Sequence, residues 1–354
     1  MSELDLNSLY PEELTKIVEE LGEKKFRSKQ IFEWIHKKQI SSFDEAGNIP
    51  KKLKEDLLNK YKLAKTEVVD CQISKEDGTR KYLFGLYDGN VIESVLMRYH
   101  YGNTVCISSQ VGCRMGCKFC ASTIDGVVRN LSAGEMLSQI YSIEKDTNEK
   151  VGHVVIMGSG EPLDNYDNLI RFLNLISHPD GKNLSLRNVT VSTCGIVPKI
   201  KELSQNHFQL TLALSLHASS QEKRRELMPI ANKYSIEEVL GACSEYFETT
   251  GRRLSFEYTL IQNVNDFEED AKELANLLKN NMKNFPSDAH INLIPVNPIK
   301  ERNYESTTKN RSLVFKKNLE KYGISVTIRR EMGRDIDGAC GQLRRRHLEG
   351  KNLS

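Results

Sequence analysis

From residue 103 onward the chain alternates between two patterns. Short apolar runs recur at 104–108, 153–157, 189–193, 210–216, 254–261 and 290–294, and helix-patterned stretches follow most of them. Strand and helix in regular alternation build a parallel sheet, because a parallel neighbour can only be reached by a crossover. Ser132 with Glu135, and Ser235 with Glu238, have the spacing of capping boxes and mark two helix starts. About six such units predict an α/β fold with a partial (βα)6 barrel rather than a closed eight-fold one. In barrels of this kind the chemistry gathers at the C-terminal strand ends. The polar motifs of this chain follow its apolar runs.

Two smaller regions come first. Residues 1–62 predict a small N-terminal helical accessory domain. Leu14, Ile17, Val18 and Leu21 fall at helical spacing before Gly22; Ile31, Trp34 and Ile35 mark a second helix, and Leu53, Leu57 and Tyr61 a third. Lysines on their polar faces suit either a nucleic-acid contact or the outside of a helical cap. Residues 63–102 predict a β-meander extension packing on the barrel, with hairpin signals at Asp77-Gly78 and Asp88-Gly89. The run 91–97 is apolar on both faces apart from Glu93 and Ser94, which places Glu93 in a dry setting suited to a general base. A strand carboxylate paired with Arg98 is the alternative. The barrel, ending in a cysteine-bearing loop, is expected over 103–350.

With 39% hydrophobic and 28% charged residues, the chain can bury an ordinary globular core. No apolar run approaches the ~20 residues of a membrane helix, and residues 1–21 lack a signal-peptide core, so a cytoplasmic location without membrane contact is expected. Its eight cysteines therefore do not read as a disulfide framework. The net charge is only +2, but residues 295–354 hold fourteen Lys and Arg against seven Asp and Glu, densest at 327–330 and 344–347. Such an excess suits an acidic polymer such as RNA or simply a solvated face.

Cys113, Cys117 and Cys120 form C-x3-C-x2-C in the loop after the first barrel strand. Three thiolates at this spacing can hold a [4Fe–4S] cluster and leave one iron open. The open iron can chelate the amino and carboxylate groups of S-adenosylmethionine, and electron transfer into the sulfonium then releases a 5′-deoxyadenosyl radical. Phe119 would shield the cluster from water. A zinc site is the alternative, but structural zinc usually takes four ligands, and no fourth Cys or His lies nearby in the pattern. After the second run, Gly158-Ser-Gly160-Glu161-Pro162 suits either close approach to a ligand, with Glu161 taking the methionine ammonium, or a tight βα turn.

The stretch Cys106-Ile-Ser-Ser-Gln-Val-Gly-Cys113-Arg-Met-Gly-Cys117-Lys-Phe-Cys120-Ala-Ser-Thr resembles the radical SAM RNA methyltransferases of the RlmN and Cfr family. The resemblance continues through residues 157–162, 215–217, 227–230 and 335–343, and so covers nearly the whole chain. It implies that Gly160, Glu161, Ser192, Ser215, Leu216, His217 and Asn297 bind S-adenosylmethionine, two molecules of which are used per turnover. It implies that Cys340 carries a methyl group, that Cys106 resolves the product by forming a disulfide, and that Glu93 is the base. The implied partners are 23S rRNA and tRNA, with flavodoxin or ferredoxin as electron donor to a monomer. The implied product is methylation at carbon 2 of adenine 2503 in 23S rRNA and of adenine 37 in tRNAs. Cys120-Ala-Ser-Thr and Arg129-Asn-Leu resemble the C2 enzymes, whereas Cfr-like sequences tend to read Cys-Ala-Thr-Gly. A C8 methyltransferase conferring antibiotic resistance and a non-catalytic metal-containing RNA-binding protein are the competing expectations.

Overall fold

The computed structural model describes residues 5–299, 301–337 and 340–352. Gly338 and Ala339, inside the 335–343 motif, therefore lie outside the described residues. Three helices open the chain: α1 (Pro11–Glu20), α2 (Phe26–His36) and α3 (Lys51–Lys60). Leu14, Val18, Ile31, Ile35, Leu53 and Leu57 are buried on their inner faces; each such side chain contributes about 1.5–3 kcal/mol.

A ten-stranded sheet follows. Its first three strands, β1 (Glu67–Ile73), β2 (Arg80–Gly85) and β3 (Val91–Tyr99), form an antiparallel meander. Gly78 and Gly89 take the positive φ that the two Asp-Gly turns require. β3 pairs antiparallel with β4 (Gly102–Cys106), so the meander continues the barrel sheet as an edge. After β4 the chain makes a small separate hairpin, β5 (Gln110–Gly112) with β6 (Val127–Asn130), and then α4 (Ala133–Thr147). The barrel proper continues with β7 (Val151–Ile156), α5 (Tyr166–Ile176), β8 (Val189–Thr193), α6 (Val197–Ser204), β9 (Thr211–Ser215), α7 (Gln221–Leu227), α8 (Ile236–Thr250), β10 (Leu254–Leu260), α9 (Glu268–Asn281) and β11 (Ala289–Pro295). The chain ends with α10 (Lys309–Glu320), β12 (Ser325–Ile328) and α11 (Gln342–Asn352).

Strands β4, β7, β8, β9, β10, β11 and β12 are parallel neighbours in that order. The six apolar runs become the first six of them. β12 is a seventh, which the sequence pattern does not announce because only Val326 and Ile328 interrupt its polar residues. Both expected capping boxes form: Ser132 and Ser235 accept from the backbone of Glu135 and Glu238, and those carboxylates accept from the cap amides. Each cap contributes about 1 kcal/mol.

The N-terminal helices lie against α4 and α5. Ser8 Oγ accepts from Gly134 N at 2.8 Å, Glu13 pairs with Arg171 at 2.5 Å, and His36 Nδ1 meets the Tyr141 hydroxyl at 3.1 Å. Burial, with His178 nearby, holds His36 down to about 3 and hence neutral. Among the described residues no helix is long and apolar enough to cross a membrane.

Candidate active site

Backbone hydrogen bonds shape the three-cysteine loop. It is the connection inside the β5–β6 hairpin, closed by a hydrogen bond from Cys113 N to Gly126 O at 2.8 Å. Gly112 has φ +76°, and a Cβ there would sit 2.0 Å from Gly126 O, so only glycine closes the hairpin. Farther along, Lys118 N donates to Leu227 O at the end of α7, and Thr123 Oγ1 donates to the carbonyls of Cys117 and Cys120. Cys113 and Cys117 are buried and Cys120 half-buried. Met115, Phe119, Leu227, Met228, Ile261 and Val296 supply an apolar surround.

Burial is the main influence on all three thiols, and each is also pushed up by nearby acidic groups or thiols, Cys113 to about 12. Sites that use such thiols as ligands supply cationic metal to reverse this. Among the described residues no group of three or more His, Cys, Asp and Glu is arranged to hold a single metal ion. Three buried or half-buried thiols that act on one another electrostatically are a donor set of the kind that ligates iron–sulfur clusters.

One face of β3, carrying Glu93, Val95 and Met97, lines a cavity of about 800 Å3 at the C-terminal end of the barrel. Cys106, Phe119, Cys120, Gly158, Asn297, Arg329, Arg330, Arg334 and Cys340 also line it. The cavity thus gathers five of the residues implicated by sequence: Glu93, Cys106, Cys120, Asn297 and Cys340. Cys113, Cys117, Gly160, Glu161, Ser192, Ser215, Leu216 and His217 lie outside its lining. Several are one contact behind it. His217 packs its ring against Phe119 at 4.7 Å, and its Nδ1 accepts from the backbone of the cavity residue Thr259 at 2.9 Å. Burial, then the Arg224 charge, holds His217 down to about 3, so the neutral ring carries its proton on Nε2. Leu216 is fully buried beside it, and the Ser192 and Ser215 hydroxyls lie 3.5 Å apart on adjacent strand ends.

The glycine turn after β7 serves the fold first. A Cβ on Gly158 would sit 2.7 Å from Ile107 O, and one on Gly160 about 2.6 Å from the Gln110 side chain. Glu161 is buried; its Oε1 accepts from Leu163 N and its Oε2 from Cys194 N. Desolvation pushes this carboxyl up despite those bonds. The tight βα turn thus forms, and it sets the Glu161 carboxylate within electrostatic reach of Cys113 and Cys117.

Cys340 docks on the cysteine loop. Its Sγ lies 3.4 Å from Ser122 Oγ. Gly341, at φ +83°, comes so close that a Cβ would be 2.9 Å from Ala121 Cβ. Although Cys340 opens onto the cavity, protein encloses the sulfur enough that desolvation, then the Glu93 carboxylate, pushes its thiol up. Desolvation does the same to Cys106, the last residue of β4.

Glu93 is dry, as its strand position implies, with 4% of its surface exposed. Its partner corrects the alternative considered from sequence: Arg98 pairs with Glu149 at 2.6 Å, and Glu93 pairs with the fully buried Lys81 at 3.1 Å. Glu93 also accepts from Gly341 N at 2.6 Å and Arg344 N at 2.7 Å, and so caps the start of α11 directly after Cys340. Lys81 was legible in principle. The Asp88-Gly89 hairpin sets Leu83 opposite Glu93 and Lys81 opposite Val95, which makes Lys81 and Glu93 diagonal neighbours on one face. Removing one partner of a buried pair strands the other charge. Lys81→Met is therefore expected to cost about 3 kcal/mol of stability or more, read as a lower urea midpoint, with Lys81→Met/Glu93→Gln recovering part of it. An unchanged midpoint would refute the pairing.

The basic C-terminal run divides. Arg329, Arg330 and Arg334 face the cavity. In 344–347 the arginines are mostly engaged within the fold: Arg344 donates to Val91 O, Arg345 pairs with Glu301, and Arg346 pairs with Asp337.

Comparisons with known proteins fall on these same segments. Residues 107–278 match the family model of the radical SAM superfamily, and residues 4–63 match that of the ribosomal RNA large subunit methyltransferase N-terminal domain. The chain is 58% identical over 345 residues to a protein of Lachnospira eligens named "Probable dual-specificity RNA methyltransferase RlmN", with 98% of this chain and 97% of that one covered. A protein of the same name from Clostridium perfringens strain 13 is 54% identical, with 97% of both chains covered. The crystal structure of a radical SAM methyltransferase from Sphaerobacter thermophilus superposes with a TM-score of 0.90 at 38% identity, over 96% of this chain and 98% of that one.

Proposed function

Because the chain belongs to the RlmN family of radical SAM enzymes, we propose that it methylates carbon 2 of adenine 2503 in 23S rRNA and of adenine 37 in tRNAs. The observation that carries this reading is the docking of Cys340, remote in sequence, onto the cluster loop, with Glu93 and Cys106 around the same cavity.

The target carbon lies between two ring nitrogens and is electron-poor. It does not attack a sulfonium methyl as a nitrogen or oxygen would, but it accepts a carbon radical. Cys113, Cys117 and Cys120 would hold a [4Fe–4S] cluster, which would supply radical chemistry with S-adenosylmethionine. Gly160, Glu161, Ser192, Ser215, Leu216, His217 and Asn297 bind and orient that cosubstrate. Cys340 Sγ accepts a methyl group from a first S-adenosylmethionine by displacement, and a second is consumed in activating that methyl for attack on the base. Glu93 takes the proton that leaves carbon 2. The Cys106 thiolate then attacks Cys340 Sγ: the S–S bond forms, the S–C bond breaks with its electron pair left on the methylene carbon, and a proton taken up there completes the product methyl. Flavodoxin or ferredoxin returns the electrons. Arg329, Arg330 and Arg334 give the cavity rim the charge that RNA backbone requires, and the adenine must be unstacked to enter. In this reading the enzyme acts as a cytoplasmic monomer.

Carbon 2 is favoured over carbon 8 by the RlmN name shared by relatives at 52–58% identity and by the Cys120-Ala-Ser-Thr ending. Expression in a strain lacking its own C2 enzyme, followed by nucleoside mass spectrometry of 23S rRNA and tRNA, is expected to restore 2-methyladenosine in both. Recovery of 8-methyladenosine alone would move the protein to the Cfr group, and recovery of neither would overturn the assignment.

A further inference from the structure

Arg224, in α7, is the largest fully buried side chain of the described residues. Its Nη2 donates to Cys194 O at 2.7 Å and, less closely, to Ser215 O at 3.4 Å. Its Nε and Nη1 have no hydrogen-bond partner among the described residues, and the groups acting electrostatically on it are the thiols of Cys194, Cys117 and Cys243 rather than any carboxylate. A guanidinium stays charged even when buried, and leaving one unmatched in a dry interior is strongly unfavourable. Arg224 is not among the residues that line the cavity at Cys340, so the methyl-transfer residues do not account for it.

Its position does. Arg224 lies within electrostatic reach of Cys117 and of His217. The last residue of its helix, Leu227, accepts the Lys118 amide from within the cysteine loop. Gly195, with φ +102°, leaves it room: a Cβ there would lie 3.3 Å from Nη2 and 2.9 Å from Val239. Three thiolates outweigh the positive charge of an iron–sulfur cube, so the liganded cluster is anionic, and one-electron reduction adds a further negative charge.

We propose that Arg224 is the counter-charge of the cluster, a positioning residue that makes its reduction easier. The proposal rests on the reading that Cys113, Cys117 and Cys120 hold a [4Fe–4S] cluster. A buried cation with two unpartnered donors, within electrostatic reach of Cys117, stabilises the reduced state more than the oxidised one, because the reduced state carries the larger negative charge.

The test uses the full chain, reconstituted anaerobically with iron and sulfide and titrated with dithionite, with the potential read by electron paramagnetic resonance. Arg224→Met is expected to disfavour reduction at least tenfold, which is about 59 mV for one electron. Arg224→Lys, which keeps the charge, is expected to stay within about threefold of the unchanged protein. Should Arg224→Met fail to take up iron while Arg224→Lys does so with its potential retained, the charge is again what matters. Equal potentials in all three proteins would overturn the proposal, and so would equal loss of iron from both variants, the mark of a purely structural arginine. Absence of a [4Fe–4S] signal from the unchanged protein would instead defeat the cluster reading itself.

Discussion

Replacing Cys113, Cys117 and Cys120 together by alanine is expected to abolish iron binding and methyl transfer while leaving the fold in place. The cysteine loop has a backbone framework of its own. Backbone hydrogen bonds from Cys113 to Gly126 and from Lys118 to Leu227 hold it, and none of them uses a cysteine side chain. The hairpin register, Gln110 opposite Asn130 and Gly112 opposite Val127, survives the change as well. Iron per chain after anaerobic reconstitution should fall to background, the visible charge-transfer bands should vanish, and the circular dichroism spectrum should match the unchanged protein. A triple variant that keeps its iron and its bands would sink the ligand assignment.

The second large effect belongs to Cys106→Ala. Among the described residues the cavity thiols are Cys106, Cys120 and Cys340. In the proposed cycle Cys120 is committed to the cluster and Cys340 carries the methyl group, which leaves Cys106 to break the thioether to the base. Its place suits that role. Cys106 stands opposite Val95, and Val95 opposite Lys81, in one row across three strands, so Cys106 shares the face that carries Glu93. Without this thiol the enzyme should accumulate joined to RNA through Cys340. Nuclease digestion and intact-protein mass spectrometry should show the protein plus a nucleotide fragment, and multiple-turnover product should drop to background. Free Cys106→Ala protein that releases normal amounts of methylated adenosine would refute the assignment.

The hydrophobic pattern alone determined the architecture. Apolar runs of five to eight residues separated by helical stretches admit few solutions besides a parallel sheet, and the six runs became β4 and β7 through β11 in order. Local chemistry was equally legible: Asp-Gly turns, serine caps and three cysteines at short spacing each depend only on residues a few positions apart. β12 escaped because a largely polar strand on the far edge carries too few apolar residues to show a period. The Glu93 partner escaped, and Arg98 was a poor guide, because pairing across strands is set by register rather than by nearness in sequence. The basic run at 344–347 suggested a face for RNA, yet the fold spends Arg344, Arg345 and Arg346 on its own strand carbonyl and carboxylates. Composition reports how many charges a segment has, while only tertiary contacts decide which of them remain for a partner. The same limit hid Arg224, which reads as one of several charges in Gln221–Leu227. Its burial beside Cys117 and Cys194 arises because the α7 end and the cysteine loop meet through Lys118 and Leu227, residues more than a hundred positions apart.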